Sequence, residues 1–287
     1  MDEKLSQIDK NLKILRTASA DVSGDANQFG DTQLKVDVEI DEVIFERLRR
    51  CTSVEAATSE EQPDLIAMPG KGYTVAFDPL DGSSIMGCNF SVGSIFGIWP
   101  GSLIGSRGRD QAAAVYAIYG PQTLLVWSRP VKGHEPPHVV EEFVLSEGDV
   151  WKLRRTGVTI AATKNVFASA NLRSAADNKA YSELVSSWIS QGFTLRYTGG
   201  MVPDVHHILA KGGGIFCSPE SVAAPAKLRL VYECAPLAFI VESAGGSSFD
   251  GEGSMLDQQI MSTSTKSIVC LGSRDLVQQS IPAMKSK

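Results

Sequence analysis

The stretch that decides the fold reads Asp78-Pro79-Leu80-Asp81-Gly82-Ser83-Ser84. Just before it, residues 73–77 (Tyr-Thr-Val-Ala-Phe) are rich in β-branched and aromatic side chains, which predicts a buried strand. Because proline has no backbone donor with which to continue a sheet ladder, we expect this strand to end at Asp78. The carboxylates of Asp78 and Asp81 then project from the carboxyl end of a strand, where open α/β sheets bind ligands.

The same stretch carries groups that suit a metal ion next to a phosphate. Asp78, Asp81 and the carbonyl of Leu80 offer the hard oxygen ligands that Mg²⁺ prefers. Ser83 and Ser84 follow with exposed backbone N–H groups at a predicted helix start, which suits an anion. The simpler interpretation is two successive turns, since Asp-Pro and Asp-Gly are both common in turns. Their combination behind a hydrophobic strand favours a hydrolase of phosphate esters.

The composition is that of an ordinary globular protein. The 287 residues are 43% hydrophobic and 21% charged, with a net charge of −6, which allows one large domain or two modest ones. The acidic balance argues against nucleic acid as a partner. No apolar run approaches the roughly 20 residues of a membrane helix. With no secretory signal and five cysteines at no metal-binding or redox spacing, we expect a cytoplasmic protein with reduced thiols.

Helical and strand patterns alternate along the chain, which predicts an α/β or layered α+β fold. Helices are expected at residues 4–16, 38–50, 181–189, 203–210 and 236–244. Strands are expected at residues 73–77, 91–99, 112–119, 123–127, 158–161, 194–197, 215–216, 228–232 and 267–271. Three prolines predict a loop at residues 130–138. A change of composition near residue 155 predicts two domains, residues 1–155, which carry the candidate metal and phosphate groups of Asp78 to Ser84, and residues 156–287.

Further carboxylates upstream could complete the metal site. Glu60 and Glu61 are adjacent, and Glu61 lies 17 residues before Asp78. Asp31 and Asp37 precede them. Taken alone, these two aspartates are better explained as a helix N-cap and a first-turn acid. Hydrolysis of a phosphate ester with Mg²⁺ needs several converging carboxylates and one that prepares the attacking water.

Cations that could hold a second phosphate lie downstream. If residues 228–232 form a strand, alternation places Lys227, Arg229 and Glu233 on one face. Such a face is expected to point inward only where a site needs its charges. Residues 196–201 (Arg-Tyr-Thr-Gly-Gly-Met) add a guanidinium, a phenol and a backbone that can approach a sugar closely.

These motifs resemble the fructose-1,6-bisphosphatase and inositol monophosphatase superfamily, and within it the sedoheptulose bisphosphatases of the Calvin cycle. The resemblance spans residues 15–271 and also rests on four further stretches: residues 15–19, 29–31, 108–111 and 194–205. Ile85 after the two serines and the proline before Asp204 separate the chain from most fructose-1,6-bisphosphatases. The resemblance implies a sugar-phosphatase fold of α-β-α-β-α layers and removal of the 1-phosphate from sedoheptulose 1,7-bisphosphate.

The resemblance also implies a role for each candidate residue, with two or three Mg²⁺ ions per site and Mn²⁺ as an alternative. Glu61 and Asp37 would prepare the attacking water. The implied metal ligands are Asp31, Glu60, Asp78, Leu80, Asp81 and Glu233. The implied substrate contacts are Ser83, Ser84, Arg173, Arg196, Tyr197, Gly200, Met201, Lys227 and Arg229. Arg196 is expected to reach a neighbouring subunit's site, which implies a homo-oligomer, a dimer rather than a tetramer.

Two other functions remain open. Fructose-1,6-bisphosphatase activity, alone or as a second activity, is the nearest, since one carbon separates the substrates and a small pocket change discriminates weakly. A non-catalytic sugar-phosphate sensor is disfavoured, because Glu61 and Asp37 are both present. Plastid members of the resembled group carry a pair of cysteines where this chain has Ala20 and Asp25. We therefore expect no dithiol switch at these positions.

Overall fold

The computed structural model describes residues 22–26, 32–132 and 138–285. The first two described strands, β1 (Val22–Ala26) and β2 (Thr32–Leu34), pair antiparallel with each other. The remaining strands form two sheets of eight and five strands.

The larger sheet is built from residues before 157. Its strands are β3 (Val54–Ser59), β4 (Ile66–Ala67), β5 (Tyr73–Asp81), β6 (Val92–Pro100), β7 (Ala113–Tyr119), β8 (Thr123–Pro130), β9 (His138–Ser146) and β10 (Val150–Thr156). Their spatial order is β10-β9-β8-β7-β6-β5-β3-β4. From β5 to β10 each strand pairs antiparallel with the next, whereas β3 joins β5 in parallel.

The smaller sheet is built from residues after 165. Its strands are β11 (Val166–Ser169), β12 (Thr194–Leu195), β13 (Ile215–Ser218), β14 (Ser247–Phe249) and β15 (Val269–Gly272). Their order is β12-β11-β13-β15-β14. β11 runs parallel to both of its neighbours, and β15 runs antiparallel to both of its own.

Within the part of the chain that the structure describes, six α-helices accompany the sheets. They are α1 (Lys35–Leu48), α2 (Ser83–Met86), α3 (Lys179–Ser190), α4 (Met201–Lys211), α5 (Ala235–Ser243) and α6 (Arg274–Lys285). A π-helical turn, Leu230–Cys234, leads directly into α5. No helix within the described ranges combines the length and the apolar character needed to cross a membrane.

Two helices, α4 and α5, lie between the sheets and fill the main core. Val205 of α4 and Leu237 of α5 share one buried cluster with Tyr116 of the larger sheet and Leu271 of the smaller. The first seven residues of α5 are all buried, as expected of a helix that is apolar all round.

The outer faces of both sheets are covered by the other long helices. Ile40 of α1 packs in one cluster with Phe77 of the larger sheet. Trp188 of α3 and Leu276 of α6 share another cluster with Phe167 of the smaller sheet. The order of layers is therefore α-β-α-β-α, and the predicted fold class is confirmed.

Two predicted strands are wrong. Residues 228–232 enter the π-helical turn, in which five successive residues are buried, because the segment lies between the sheets and has no solvent face. Residues 158–161 are a connection that bonds to several elements in turn, with Val158 N–H donating to Val140 and Ile160 N–H to Ala244. The predicted helix at residues 4–16 and most of the predicted loop at residues 130–138 fall outside the described residues.

Candidate active site

The strand that carries Asp78 does not end there, contrary to the prediction. β5 continues to Asp81, and its register with β6 shifts between these two aspartates. Such a bulge accommodates Pro79, which has no N–H for the ladder. Leu80 N–H donates to Asp78 Oδ1 at 2.9 Å, and the Ser94 hydroxyl of β6 donates to the Pro79 carbonyl at 2.7 Å. Both aspartates consequently line one cleft.

Three buried carboxylates meet at the floor of this cleft. One oxygen each from Asp78, Asp81 and Glu233 lies within 4.8 Å of the other two. Burial is the largest cause of the raised pKa of all three, to about 6 for Asp81 and well above the ordinary value for Asp78 and Glu233. Carboxylates this close repel each other unless a cation compensates them. Their oxygen donors fit Mg²⁺ or Mn²⁺.

The start of α4 holds the carboxylate of Asp81 in place. Met201 N–H donates to Asp81 Oδ1 at 3.0 Å, and Val202 N–H donates to Asp81 Oδ2 at 2.6 Å. Both are N–H groups of the first helical turn, which have no partner within the helix and favour a negative charge. The larger sheet and α4 are thereby joined at the acidic cluster.

Arg229 is placed behind the acidic residues and does not line the cleft. Its Nη1 lies 2.6 Å from Glu60 Oε1, and its backbone N–H donates to Glu233 Oε2 at 2.6 Å. Arg229 is 4% exposed. The sequence predicts a substrate contact here, whereas the structure gives Arg229 two acids as partners. The physical reason is the π-helical turn, which replaces the strand whose alternation would have turned Arg229 toward the substrate.

The cleft has a volume of about 270 Å³ and is lined by two chemically different groups of residues. We call the acidic group the acid end: Glu60, Asp78, Asp81 and Glu233, with Leu80 also in the lining. We call the group with the basic side chains the cation end: Arg173, Tyr197, Ser218 and Lys227. Ser83 and Ser84 of α2 and Gly200 and Met201 also line the cleft. The sequence separates these residues widely, and the fold brings them together.

Two loops approach each other closely along the cleft. Gly82, before α2, has a φ of +83°, and a Cβ there would lie 3.3 Å from the Cα of Gly200. A side chain at Gly82 would therefore be strained by its backbone and crowded by the second loop. This approach brings Ser83 into the same cleft as Met201.

The side chains at the cation end are held less tightly. Arg173 and Lys227 are exposed, and Tyr197 is 47% exposed. Ser218, at the end of β13, is half-buried and has a small side chain. The cation end therefore has the charges needed for a second anion, and its basic side chains are open to solvent.

Glu61 and Asp37 lie near the acid end without lining the cleft. Asp37, on α1, is buried and accepts a hydrogen bond from Leu34 N–H at 3.1 Å. Burial chiefly, and then the charges of Glu61 and Glu60, raise the pKa of Asp37 to about 7. A carboxylate with such a pKa can accept a proton near neutral pH. The structure thus brings the two predicted acids into electrostatic contact.

Two predicted site residues lie elsewhere. Arg196 is exposed, and its Nη1 donates to the Leu195 carbonyl at 2.7 Å, so it does not line the cleft of its own chain. Asp31 lies outside the described residues.

Sequence reasoning missed two residues that shape the cleft. Asn171 lines it and donates through Nδ2 to the carbonyls of Pro219 and Ala224, at 2.8 and 3.0 Å. Asp204, buried in α4, accepts a hydrogen bond from Thr198 N–H at 2.8 Å and so fixes the loop before α4. The aspartate in the first turn of a predicted helix was the available signal for Asp204.

Family comparisons agree with this geometry. The model of the fructose-1,6-bisphosphatase N-terminal domain matches residues 5–150, and that of the C-terminal domain matches residues 160–285. The chain belongs to the fructose-1,6-bisphosphatase family. In this member of the bisphosphatase family, the acid-end residues other than Glu233 lie within the first match. Glu233 and all the residues of the cation end lie within the second match.

The relatives of this chain include both sedoheptulose-1,7-bisphosphatases and fructose-1,6-bisphosphatases, the two groups that the sequence resembles. Chloroplastic sedoheptulose-1,7-bisphosphatase of Spinacia oleracea is 45% identical over 90% of this chain, which spans 66% of that relative's length. Class 1 fructose-1,6-bisphosphatase of Geobacter sulfurreducens is 35% identical over 91% of this chain and 82% of its own length.

Solved structures of the bisphosphatase family superpose over nearly the whole chain. A provisionally named sedoheptulose-1,7-bisphosphatase of Toxoplasma gondii has a TM-score of 0.90 at 36% identity, covering 98% of this chain and 91% of its own. The holo fructose-1,6-bisphosphatase of Leishmania major has a TM-score of 0.88 at 30% identity, covering 99% and 92%.

Proposed function

We propose that the protein is a Mg²⁺-dependent sugar bisphosphatase that converts sedoheptulose 1,7-bisphosphate into sedoheptulose 7-phosphate and phosphate. The observation that supports this most is that one cleft is lined both by three clustered carboxylates and by the cations Arg173 and Lys227. The spinach relative bears the same activity in its name at 45% identity.

The acid end would hold the metal. Asp78, Asp81 and Glu233 are proposed as the main ligands, with Glu60 and the carbonyl of Leu80 beside them, for two or three Mg²⁺ ions; Mn²⁺ is the alternative. When bound, such ions polarise the phosphoryl group and neutralise the leaving alkoxide. Asp31 remains a predicted outer ligand.

Water activation is assigned to two acids beside the metal ligands. Glu61 would accept a proton from the attacking water, and Asp37, whose pKa is raised to about 7 by burial and by Glu61 and Glu60, would share it. Ser83 and Ser84 would donate hydrogen bonds to the phosphate being cleaved. These donors place the phosphorus atom for in-line attack and cost no reorganisation as charge develops.

The cation end would bind the second phosphate. Arg173 and Lys227 supply charge and Tyr197 a hydroxyl, while Gly200 and Met201 would lie against the sugar. Arg196 is proposed to act in the site of a neighbouring subunit, so we infer a homo-oligomer, a dimer rather than a tetramer.

Fructose-1,6-bisphosphatase activity is the second candidate. It is favoured by the class 1 fructose-1,6-bisphosphatase relatives, which are 34 to 36% identical over most of this chain, and by the similar size of the substrates. The deciding experiment measures phosphate release from both bisphosphates at saturating Mg²⁺. A higher kcat/KM for the seven-carbon substrate supports the first proposal, and a higher value for the six-carbon substrate supports the second. Release from neither would refute both.

We further infer a domain boundary near residue 155, since the larger sheet ends at Thr156 and the smaller begins at Val166. We propose that the protein is cytoplasmic. A plastid is the alternative location, because the plant relatives are chloroplastic by name.

A further inference from the structure

The two acids proposed to activate water come from different elements, so something must fix the distance between them. Asp37 belongs to α1, whereas Glu60 and Glu61 lie on the turn that follows β3. Sequence position gives no reason for these elements to keep one relative placement. The contacts between helix and turn therefore decide whether the acids are aligned.

The turn is closed by its own end residues, Ser59 and Gln62. Ser59 N–H donates to the Gln62 carbonyl at 3.0 Å, and Gln62 N–H donates to the Ser59 hydroxyl at 2.9 Å. Glu60 N–H donates to the Phe77 carbonyl of β5 at 3.1 Å. The two glutamates thus sit on a small, internally bonded turn that is attached to the sheet.

A buried aspartate of α1 reaches this turn. Asp41 is 1% exposed and lies one helical turn after Asp37. Its Oδ2 accepts a hydrogen bond from Gln62 Nε2 at 2.5 Å, and the Ser59 hydroxyl lies against the same carboxylate. Asp41 therefore contacts both ends of the turn that carries the glutamates.

Asp41 does not contact the substrate cleft itself. It is absent from the residues that line the cleft and from the cluster of Asp78, Asp81 and Glu233. A buried acid bonded to an uncharged amide destabilises the fold relative to an apolar side chain at the same place. Its bonds instead connect the helix of Asp37 to the turn of Glu61.

We propose that Asp41 is a positioning residue that, with Gln62 as its partner, holds Glu61 in register with Asp37. This inference rests on the proposed function, because those two acids are assigned to water activation. Charge-assisted hydrogen bonds are shorter and stronger than neutral ones, so one such bond can set the placement of a turn of four residues.

The test compares variants that break the bond with one that keeps it. Gln62→Leu and Asp41→Ala remove one partner each, and kcat should fall about tenfold or more with KM unchanged. Asp41→Asn keeps an acceptor for Gln62 but loses the charge, so its kcat should lie between that of Asp41→Ala and that of the wild type. Asn178→Ala is the matched control: it breaks the buried cap of α3, in which Tyr181 N–H donates to Asn178 Oδ1 at 2.9 Å, and should leave kcat unchanged.

Hydrogen–deuterium exchange gives a readout that does not need activity. In Gln62→Leu the amides of residues 59–62 should exchange faster, while Asn178→Ala leaves them unchanged. Faster exchange with a normal kcat overturns the proposal, as does a lowered kcat without faster exchange. If the wild type hydrolyses no sugar bisphosphate, the proposed function fails by itself, and the exchange of the turn still decides whether Asp41 anchors it.

Discussion

The acid end and the cation end of the cleft are built differently. Asp78, Asp81 and Glu233 are buried. Each carboxylate accepts a hydrogen bond from a backbone N–H group, of Leu80, Met201 and Arg229 respectively. Arg173 and Lys227 at the other end are exposed, and none of the ion pairs found among the described residues involves either of them.

The difference indicates that the acid end serves catalysis and the cation end serves substrate binding, a division of labour between the two ends. Groups that stabilise a transition state must be held within a fraction of an ångström, which requires burial and several bonds per side chain. Long cations on an open wall can follow a phosphate at different distances. We therefore expect changes at the acid end to lower turnover, and changes at the cation end to alter which substrate is bound.

The largest effect is expected from Asp81→Asn, which removes a charged ligand. The kcat should fall by about three orders of magnitude, because charge stabilisation by a bound cation is among the largest catalytic terms. Steady-state rates at saturating Mg²⁺ measure it, with the exposed Asp64→Asn as the control that leaves the rate unchanged. A near-wild-type rate for Asp81→Asn would contradict the metal assignment.

Glu61→Gln should have the next largest effect. Its kcat should fall by about two orders of magnitude, the usual scale for a general base, with KM nearly unchanged. Glu147→Gln, at an exposed turn, is the matched control. If Glu61→Gln instead shows a normal kcat and a raised KM, Glu61 contributes to substrate binding. That result would contradict the assignment of turnover to the acid end.

Ser218→Tyr should sharpen the view of the cation end. A tyrosine would fill space that the seven-carbon substrate needs. We therefore expect kcat/KM for the seven-carbon substrate to fall about three- to tenfold more than kcat/KM for the six-carbon substrate. The exposed Ser264→Tyr should change neither. Equal losses for both substrates would remove Ser218 from the account of selectivity.

The smallest effect is expected from oxidation. Cys217 and Cys270 lie opposite each other on β13 and β15, a pairing that their spacing in the sequence does not indicate. The hydrogen bond with Cys270, and then burial, raise the pKa of Cys217 well above its usual range, and a thiol with little thiolate reacts slowly. Activity with oxidised glutathione should stay within about twofold of that with dithiothreitol. A strong dithiol-reversible loss that Cys217→Ser abolishes would identify this pair as a switch.

The acid end was largely predictable because its main signals are local. Asp78 and Asp81 lie on the last part of a strand whose residues are almost all buried. Even here the bulge at Pro79 was missed, since a register shift depends on the neighbouring strand. Strand β3 was missed as well, because its alanines at positions 56 and 57 give a weak β signal.

The rest depends on contacts that are distant in sequence. Arg229 and Glu60 are 169 residues apart, and no pattern around either one predicts the pair. The alternation of charged and apolar residues in residues 227–233, before α5, resembles that of a strand. It arises because the charged residues of this segment belong to the site, so the predicted strand is wrong. Asp41 looked like an ordinary helix residue, since only the placement of Gln62 gives it a role.

The most direct test of the division of labour compares a bisphosphate with a monophosphate. We expect Lys227→Met to lower kcat/KM for sedoheptulose 1,7-bisphosphate by about 10- to 100-fold, the scale of a lost charged hydrogen bond. The same variant should leave kcat/KM for fructose 1-phosphate, which has no distal phosphate, unchanged. Lys179→Met, on the exposed face of α3, serves as the control. An equal loss for both substrates in Lys227→Met would contradict the account.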